Sequence, residues 1–205
     1  MRVDRPPPGE ELNMGEVAEA RQAASLILLR DSESGPEVLL VKRNPEQRFM
    51  GGAWVFPGGA VHAGDGGHAG TALRELEEEA GVRIEDPSAV VPFSRWITPE
   101  EVKVRFDTWF FVAEAPAGVE AHPDGSECVE ARWLRPSAAL EDYAHGRLML
   151  VFPTIKHLEQ LAEFGSVGEA IGTARGRVVE PVQPRVVVRD GIGEVLLPGE
   201  PGYDD

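Results

Sequence analysis

The chain has 205 residues, enough for one well-cored domain with decorations, and carries 35 Asp and Glu against 20 Lys and Arg, a formal net charge of -15 at pH 7. That acidity excludes a general grip on nucleic acid or on an anionic membrane, since phosphate backbones are held by clustered cations, and an anionic small-molecule substrate therefore needs local basic side chains or bound cations. Cys128 is the only cysteine, which rules out an intrachain disulfide, a thiolate zinc cluster and a redox pair, and no apolar run reaches the length of a signal-peptide core or a membrane span. A cytoplasmic protein is expected.

Residues 1–20 are Pro-rich and acidic and read as a loose arm. Two short β-rich runs, residues 23–30 and 37–43, flank the turn composition DSESGP and predict a hairpin. After the loop NPEQRFMGGAW a short apolar pair is closed by Pro57-Gly58-Gly59. A helix follows from about His68 to Ala80, with Gly81 where a C-cap glycine belongs. Further strands are predicted at 89–97, 103–113 and 127–134, and helices at 137–146 and 153–164, with GSVGEAIGTARG as a short third. Two final strands surround Asp190-Gly191, a strong local hairpin signal. Antiparallel strands with helices inserted between them predict an α+β sandwich. The expected divisions are an arm over 1–20, a main domain over 21–165 and an extension over 166–205.

The helix RELEEEA holds the chemistry. On a 3.6-residue period Glu75, Glu78 and Glu79 share one face, with Ala69, Leu73, Leu76 and Ala80 opposite. Like charges at these spacings repel, so the cluster costs stability unless a cation sits on it. Arg74 is one candidate cation. A hard metal ion is another, because Mg²⁺ takes carboxylate oxygens, waters and substrate phosphates, and the preceding glycines let a backbone carbonyl approach. A solvated charged face with Arg74 in surface pairs is the plain alternative.

The segment FPGG followed by RELEEEAGV resembles the Nudix hydrolase signature, Gly-x5-Glu-x7-Arg-Glu-U-x-Glu-Glu-x-Gly-U, where U is aliphatic. Arg74, Glu75, Leu76, Glu78, Glu79, Gly81 and Val82 fill its second half. The first half departs: the sixth residue after Gly59 is Asp65, not Glu, and eight residues instead of seven separate it from Arg74. Asp65 is expected to organise the loop or cap the helix. The resemblance implies an α/β/α sandwich with a mixed sheet, C-terminal helices and, in this chain, a terminal β-hairpin. It also implies Mg²⁺ or Mn²⁺ held by Glu75, Glu78, Glu79 and the Gly59 carbonyl, with Arg74 orienting the glutamates.

The run LLVKRNPEQRFMGGAWVFPGG is similar to the segment before the signature in the coenzyme A diphosphatase branch, with Arg43, Arg48 and Gly52 in matching places. RWITPEEVKVRFDTWFFVA resembles the corresponding part of the peroxisomal-type members. Coenzyme A or an acyl derivative is the implied substrate. An ADP-ribose or nucleotide-sugar pyrophosphatase and a non-catalytic nucleotide sensor are the alternatives. Arg43, Arg48, Gly58, Gly59 and Arg105 are the expected substrate contacts, Lys103 and Arg105 by alternating on one strand face. Trp54, Trp96, Phe106 and Trp109 are read as core before adenine-stacking groups, His62 and His68 as bystanders, and Glu127 as an extra candidate ligand or base. A small-molecule nucleotide partner is expected, without nucleic acid or membrane, and a homodimer is left open.

Overall fold

The computed structural model describes residues 2–3, 11–13, 15–189 and 192–204. Arg2–Val3 form β1, Arg21–Ser32 β2 and Gly35–Arg43 β3, while Trp54–Val55 and Gly58–Ala60 form the short strands β4 and β5. Helix α1 spans His68–Ala80, as its periodicity predicts, and ends on Gly81 in the left-handed region at φ 65°. Strands β6 (Val91–Ile97), β7 (Phe106–Glu114) and β8 (Cys128–Leu134) follow, then helices α2 (Pro136–Ala144), α3 (Phe152–Leu161) and α4 (Val167–Arg175). The chain closes with β9 (Pro181–Val182), β10 (Arg185–Arg189) and β11 (Ile192–Leu196). Strands β10 and β11 are antiparallel partners, and β11 also pairs with β1. The expected turn at Asp190-Gly191 lies outside the described residues, as do residues 1, 4–10 and 14 of the expected arm.

The main sheet is mixed. Its order is β4-β3-β2-β7-β6-β9, with β5 also on β2 and β8 on β3. Strand β2 organises it: its end pairs with β3, its beginning with β5, and its other edge runs parallel to β7 from Arg21 opposite Phe106 to Leu29 opposite Glu114. Alternation along β2 then builds two cores. Ile27 and Leu29 face one way, toward Leu40, Phe56, Phe110, Ile155 and Leu158. Leu26 and Leu28 face the other, toward Leu39, Phe111, Ala72 and Leu76 of α1. Helix α1 therefore covers one face and α2, α3 and α4 the other, which is the α/β/α sandwich of the α+β class. Among the described residues no helix is long and apolar enough to cross a membrane.

The first of these cores encloses a histidine. His157 on α3 is 2% exposed, lies 2.5 Å from Ser94 Oγ through Nε2, and is ringed by Phe110, Trp96, Phe56 and Phe93. Burial among these rings disfavours the imidazolium and lowers its pKa to about 4. Since the folded value lies below the unfolded one, near 6.5, the stability that the neutral ring contributes is complete above pH 6.5 and is lost as pH falls toward 4. The loss amounts to about 3 kcal/mol when complete. His157→Leu is expected to lower stability at neutral pH, by unpairing Ser94, and to flatten this acid dependence. Urea midpoints at pH 7 and pH 5 for both proteins check it.

Candidate active site

The three glutamates of α1 do not share one environment. Glu75 and Glu79 are 7% and 2% exposed and point into the protein beside β5, whereas the Glu78 side chain is 58% exposed. Within α1 the fully buried apolar residues are Ala72, Leu76 and Ala80, so Ala72 takes the central place expected of Ala69 and Leu73, which are partly buried. A solvated acidic face is thereby excluded for two of the three carboxylates.

Glycines make this burial sterically feasible. A Cβ on Gly59 would stand 2.3 Å from Glu75 Oε1, so the carboxylate occupies the space that any other residue would fill. The Gly58 N–H donates to Glu79 Oε2 at 2.9 Å. The second oxygen, Oε1, is buried without a hydrogen-bond partner and has its ion-pair contact, Arg43 Nη1, at 3.7 Å; the Cys128 thiol lies beside the same carboxylate. Burial pushes the Glu79 carboxyl up to about 7, against the lowering pull of the Gly58 N–H and Arg43. Burial likewise raises the pKa of Glu75, against Arg74. Of the two, Glu79 is the carboxylate short of compensating positive charge.

Arg74 is fixed by four residues. Its Nε and Nη2 donate to the two carboxylate oxygens of Asp65 at 2.9 and 3.1 Å, and Nη2 also donates to the Ala60 carbonyl. The free end, Nη1, reaches Glu75 Oε1 at 2.8 Å and Glu78 Oε2 at 2.7 Å. Among the described residues no three acidic, His or Cys side chains converge as a ready cage for a metal ion; Arg74 stands between two of the three glutamates.

Asp65 organises the loop. Besides Arg74 it accepts from the His62 N–H at 2.8 Å and the Thr71 hydroxyl at 2.7 Å, and these donors hold its carboxyl far below the usual carboxylate range. Gly67, not Asp65, is the helix N-cap. The extra loop residue is accommodated because Gly70, in the first turn of α1, has no side chain. A Cβ there would overlap the Asp65 carbonyl at 1.7 Å. Asp65→Asn sets an amide NH₂ against a shell of donors, and its expected consequence is loosening of Arg74, with kcat reduced about ten- to a hundredfold and the fold retained. Steady-state kinetics beside a circular dichroism melt check this. Unchanged kcat contradicts the positioning role.

A cavity of about 520 Å³ opens beside these groups, lined at this end by Gly58, Gly59, Arg43, Arg74, Glu75 and Glu78. Glu79 lies one layer behind. Among the expected contacts, Arg43 lines the cavity and is braced by Gln47 and the Phe49 carbonyl. Arg48 is exposed and does not line it, although its neighbours Phe49 and Met50 do. Arg105 is buried with its guanidinium on the Thr98 and Ala18 carbonyls, and Lys103 pairs with Glu11. Strand β7 begins at Phe106, so Lys103 and Arg105 precede it and the basic strand face expected of them does not form; Val104 and Phe106 line the cavity instead. Trp96 and Phe106 are in the wall, Trp54 is core, and Trp109 lies beside His68. His62 and Glu127 also line the cavity. Arg21 is a lining cation that sequence reasoning missed, because its place depends on the parallel pairing of β2 with β7.

Buried carboxylates on a helix, a glycine strand pressed against them and an arginine-lined cavity define a site for an anion handled together with a cation. The NUDIX domain model matches residues 20–151, and the chain belongs to the Nudix family. It is 31% identical over 117 residues to the acyl-coenzyme A diphosphatase NUDT19 of Homo sapiens, covering 54% of this chain and 31% of that protein. The corresponding Xenopus laevis protein is 30% identical over 125 residues, 57% of this chain and 33% of that protein. The chain thus spans about a third of the length of these relatives. Among solved structures, a NUDIX hydrolase from Alicyclobacillus acidocaldarius superposes with a TM-score of 0.67 at 26% identity, covering 75% of this chain and 96% of that one. The NUDIX domain of Shewanella oneidensis NrtR, complexed with ADP ribose, shares the fold at a TM-score of 0.58 and 18% identity, covering 71% and 88%.

Proposed function

We propose that this chain hydrolyses a diphosphate bond in a nucleoside-diphosphate derivative, and that coenzyme A or an acyl derivative is the substrate, giving 3',5'-ADP and 4'-phosphopantetheine or its acyl form. The observation that carries the reaction class is the pair of buried carboxylates beside the glycines of an arginine-lined cavity, Glu75 paired with Arg74 and Glu79 with an unpartnered Oε1. A module that only binds nucleotides has no use for carboxylates that burial makes unfavourable. The coenzyme A preference is supported by the likeness to the NUDT19 proteins.

The donor set suits a hard divalent ion, Mg²⁺ or Mn²⁺. Glu75, Glu78, Glu79 and the Gly59 carbonyl would hold it, the unpartnered Glu79 Oε1 being the oxygen most in need of a cation. When bound, such an ion supplies charge neutralisation and Lewis-acid polarisation at the phosphoryl oxygens. The protein supplies the rest. Arg74, held by Asp65, keeps Glu75 and Glu78 oriented, and Arg43 and Arg21 offer cations to phosphates entering the cavity. Glu127, exposed and on the cavity wall, would take a proton from an attacking water.

A second reading, hydrolysis of ADP-ribose, is favoured by the shared fold with the ADP-ribose-bound NrtR domain. A panel of coenzyme A, acyl-coenzyme A, ADP-ribose and nucleotide sugars with Mg²⁺, read by product mass, separates the two. Faster cleavage of ADP-ribose than of every coenzyme A species overturns the substrate assignment, and no cleavage at all overturns the enzyme.

A further inference from the structure

We infer that the hairpin of β10 and β11 is the outer wall of an apolar subsite, which takes an aliphatic arm attached to the substrate's diphosphate. The inference rests on reading this cavity as the substrate site, and adds to it a place for the arm and the residues that select it. The cavity changes character along its length. At the α1 end it is lined by arginines, carboxylates and glycine backbone. At the far end it is lined by Val102, Val104, Pro184, Val186 and Val195, five side chains without a hydrogen-bond donor or acceptor, beside Thr98, whose hydroxyl is already bonded to the Phe106 backbone.

Sheet register sets how far the cavity extends across the sheet. Ala60 stands opposite Ala23, Ala23 opposite Thr108 and Thr108 opposite Trp96, three strand spacings or about 14 Å. All four residues line the cavity, which therefore crosses the sheet from β5 to β6. The hairpin is held against its far side. The Val186 N–H donates to Glu101 Oε2 at 3.2 Å and Arg185 Nε stands 3.9 Å from Glu101 Oε1, while Tyr203, accepting from Arg185 and donating to the Gln183 carbonyl at 2.7 Å, braces the hairpin from its own segment. A nucleobase against those five aliphatic side chains would leave its ring nitrogens and exocyclic groups unpaired, whereas an alkyl arm loses nothing there and gains by leaving water.

The test uses full-length protein and three probes that cannot be hydrolysed, methylenediphosphonate, its octyl ester and its adenosine ester, each titrated by calorimetry at one fixed Mg²⁺ concentration. The octyl ester is expected to bind at least about tenfold more tightly than methylenediphosphonate itself. Val186→Asp is expected to abolish that advantage while leaving methylenediphosphonate affinity unchanged. Val186→Trp, which narrows the wall without adding charge, gives the same result should the aspartate variant not fold. Equal affinity for the octyl and parent compounds overturns the inference, as does an octyl advantage that survives in the folded variant. Loss of the adenosine ester instead of the octyl ester overturns it too, by making the wall a base pocket. Failure of the coenzyme A reading is distinguishable: the octyl advantage then persists in a protein that leaves coenzyme A intact.

Discussion

Glu79→Gln is expected to lower turnover by about three orders of magnitude while the metal-free protein melts at the same temperature or higher. The two halves of this prediction have one cause. Glu79 is buried, its Oε1 is unpartnered, and burial disfavours its charge. A neutral amide of the same shape keeps an oxygen for the Gly58 N–H and removes the unfavourable charge, so folding loses nothing. A site built around a cation loses a donor. Thermal melts without metal and steady-state kinetics with Mg²⁺ check both halves, and a folded variant retaining half its activity contradicts the role given to Glu79.

Gly59→Ala is the second large effect. The added Cβ meets Glu75 Oε1 at 2.3 Å and the carboxyl carbon at 2.6 Å, so the carboxylate must turn away from β5. A displacement of about 1 Å in a catalytic group can cost roughly a hundredfold, and kcat is expected to fall by about that factor. Stability should change little, because the clash is with the movable end of a side chain and β5 keeps its ladder to β2. A crystal structure of the variant with Glu75 undisplaced, or kinetics equal to the parent, contradicts this.

Much of this site is legible in the chain itself, for reasons that are local. The bounds of α1 follow from 3.6-residue periodicity between a glycine run and Gly81, and of the glutamates named by the resemblance, Glu75, Glu78 and Glu79, the fold packs Glu75 and Glu79 beside β5 and leaves Glu78 exposed. What resisted reading is what depends on long-range contacts. Lys103 and Arg105 alternate with Val104 and Phe106 in the sequence, but the strand starts only at Phe106, and the loop before it turns Lys103 to Glu11 and Arg105 to the Thr98 and Ala18 carbonyls. The burial of Glu75 and Glu79 was equally hidden, since a charge run normally faces water and only the missing side chain of Gly59 makes room for one of them. Asp65 shows the reverse case. Its departure from the family spacing is visible in the sequence, but its chelation of Arg74 and the matching gap at Gly70 require coordinates. The far wall of the cavity comes from residues some 130 positions beyond β5, outside any local pattern.

The most direct test of the central claim is hydrolysis of coenzyme A in ¹⁸O-labelled water with Mg²⁺, the products being weighed by mass spectrometry for the parent chain and Glu79→Gln side by side. The account predicts 3',5'-ADP and 4'-phosphopantetheine from the parent, with one ¹⁸O atom in one of the two, and almost none of either from the variant. Intact coenzyme A after incubation with the parent, or equal product from both proteins, would contradict it.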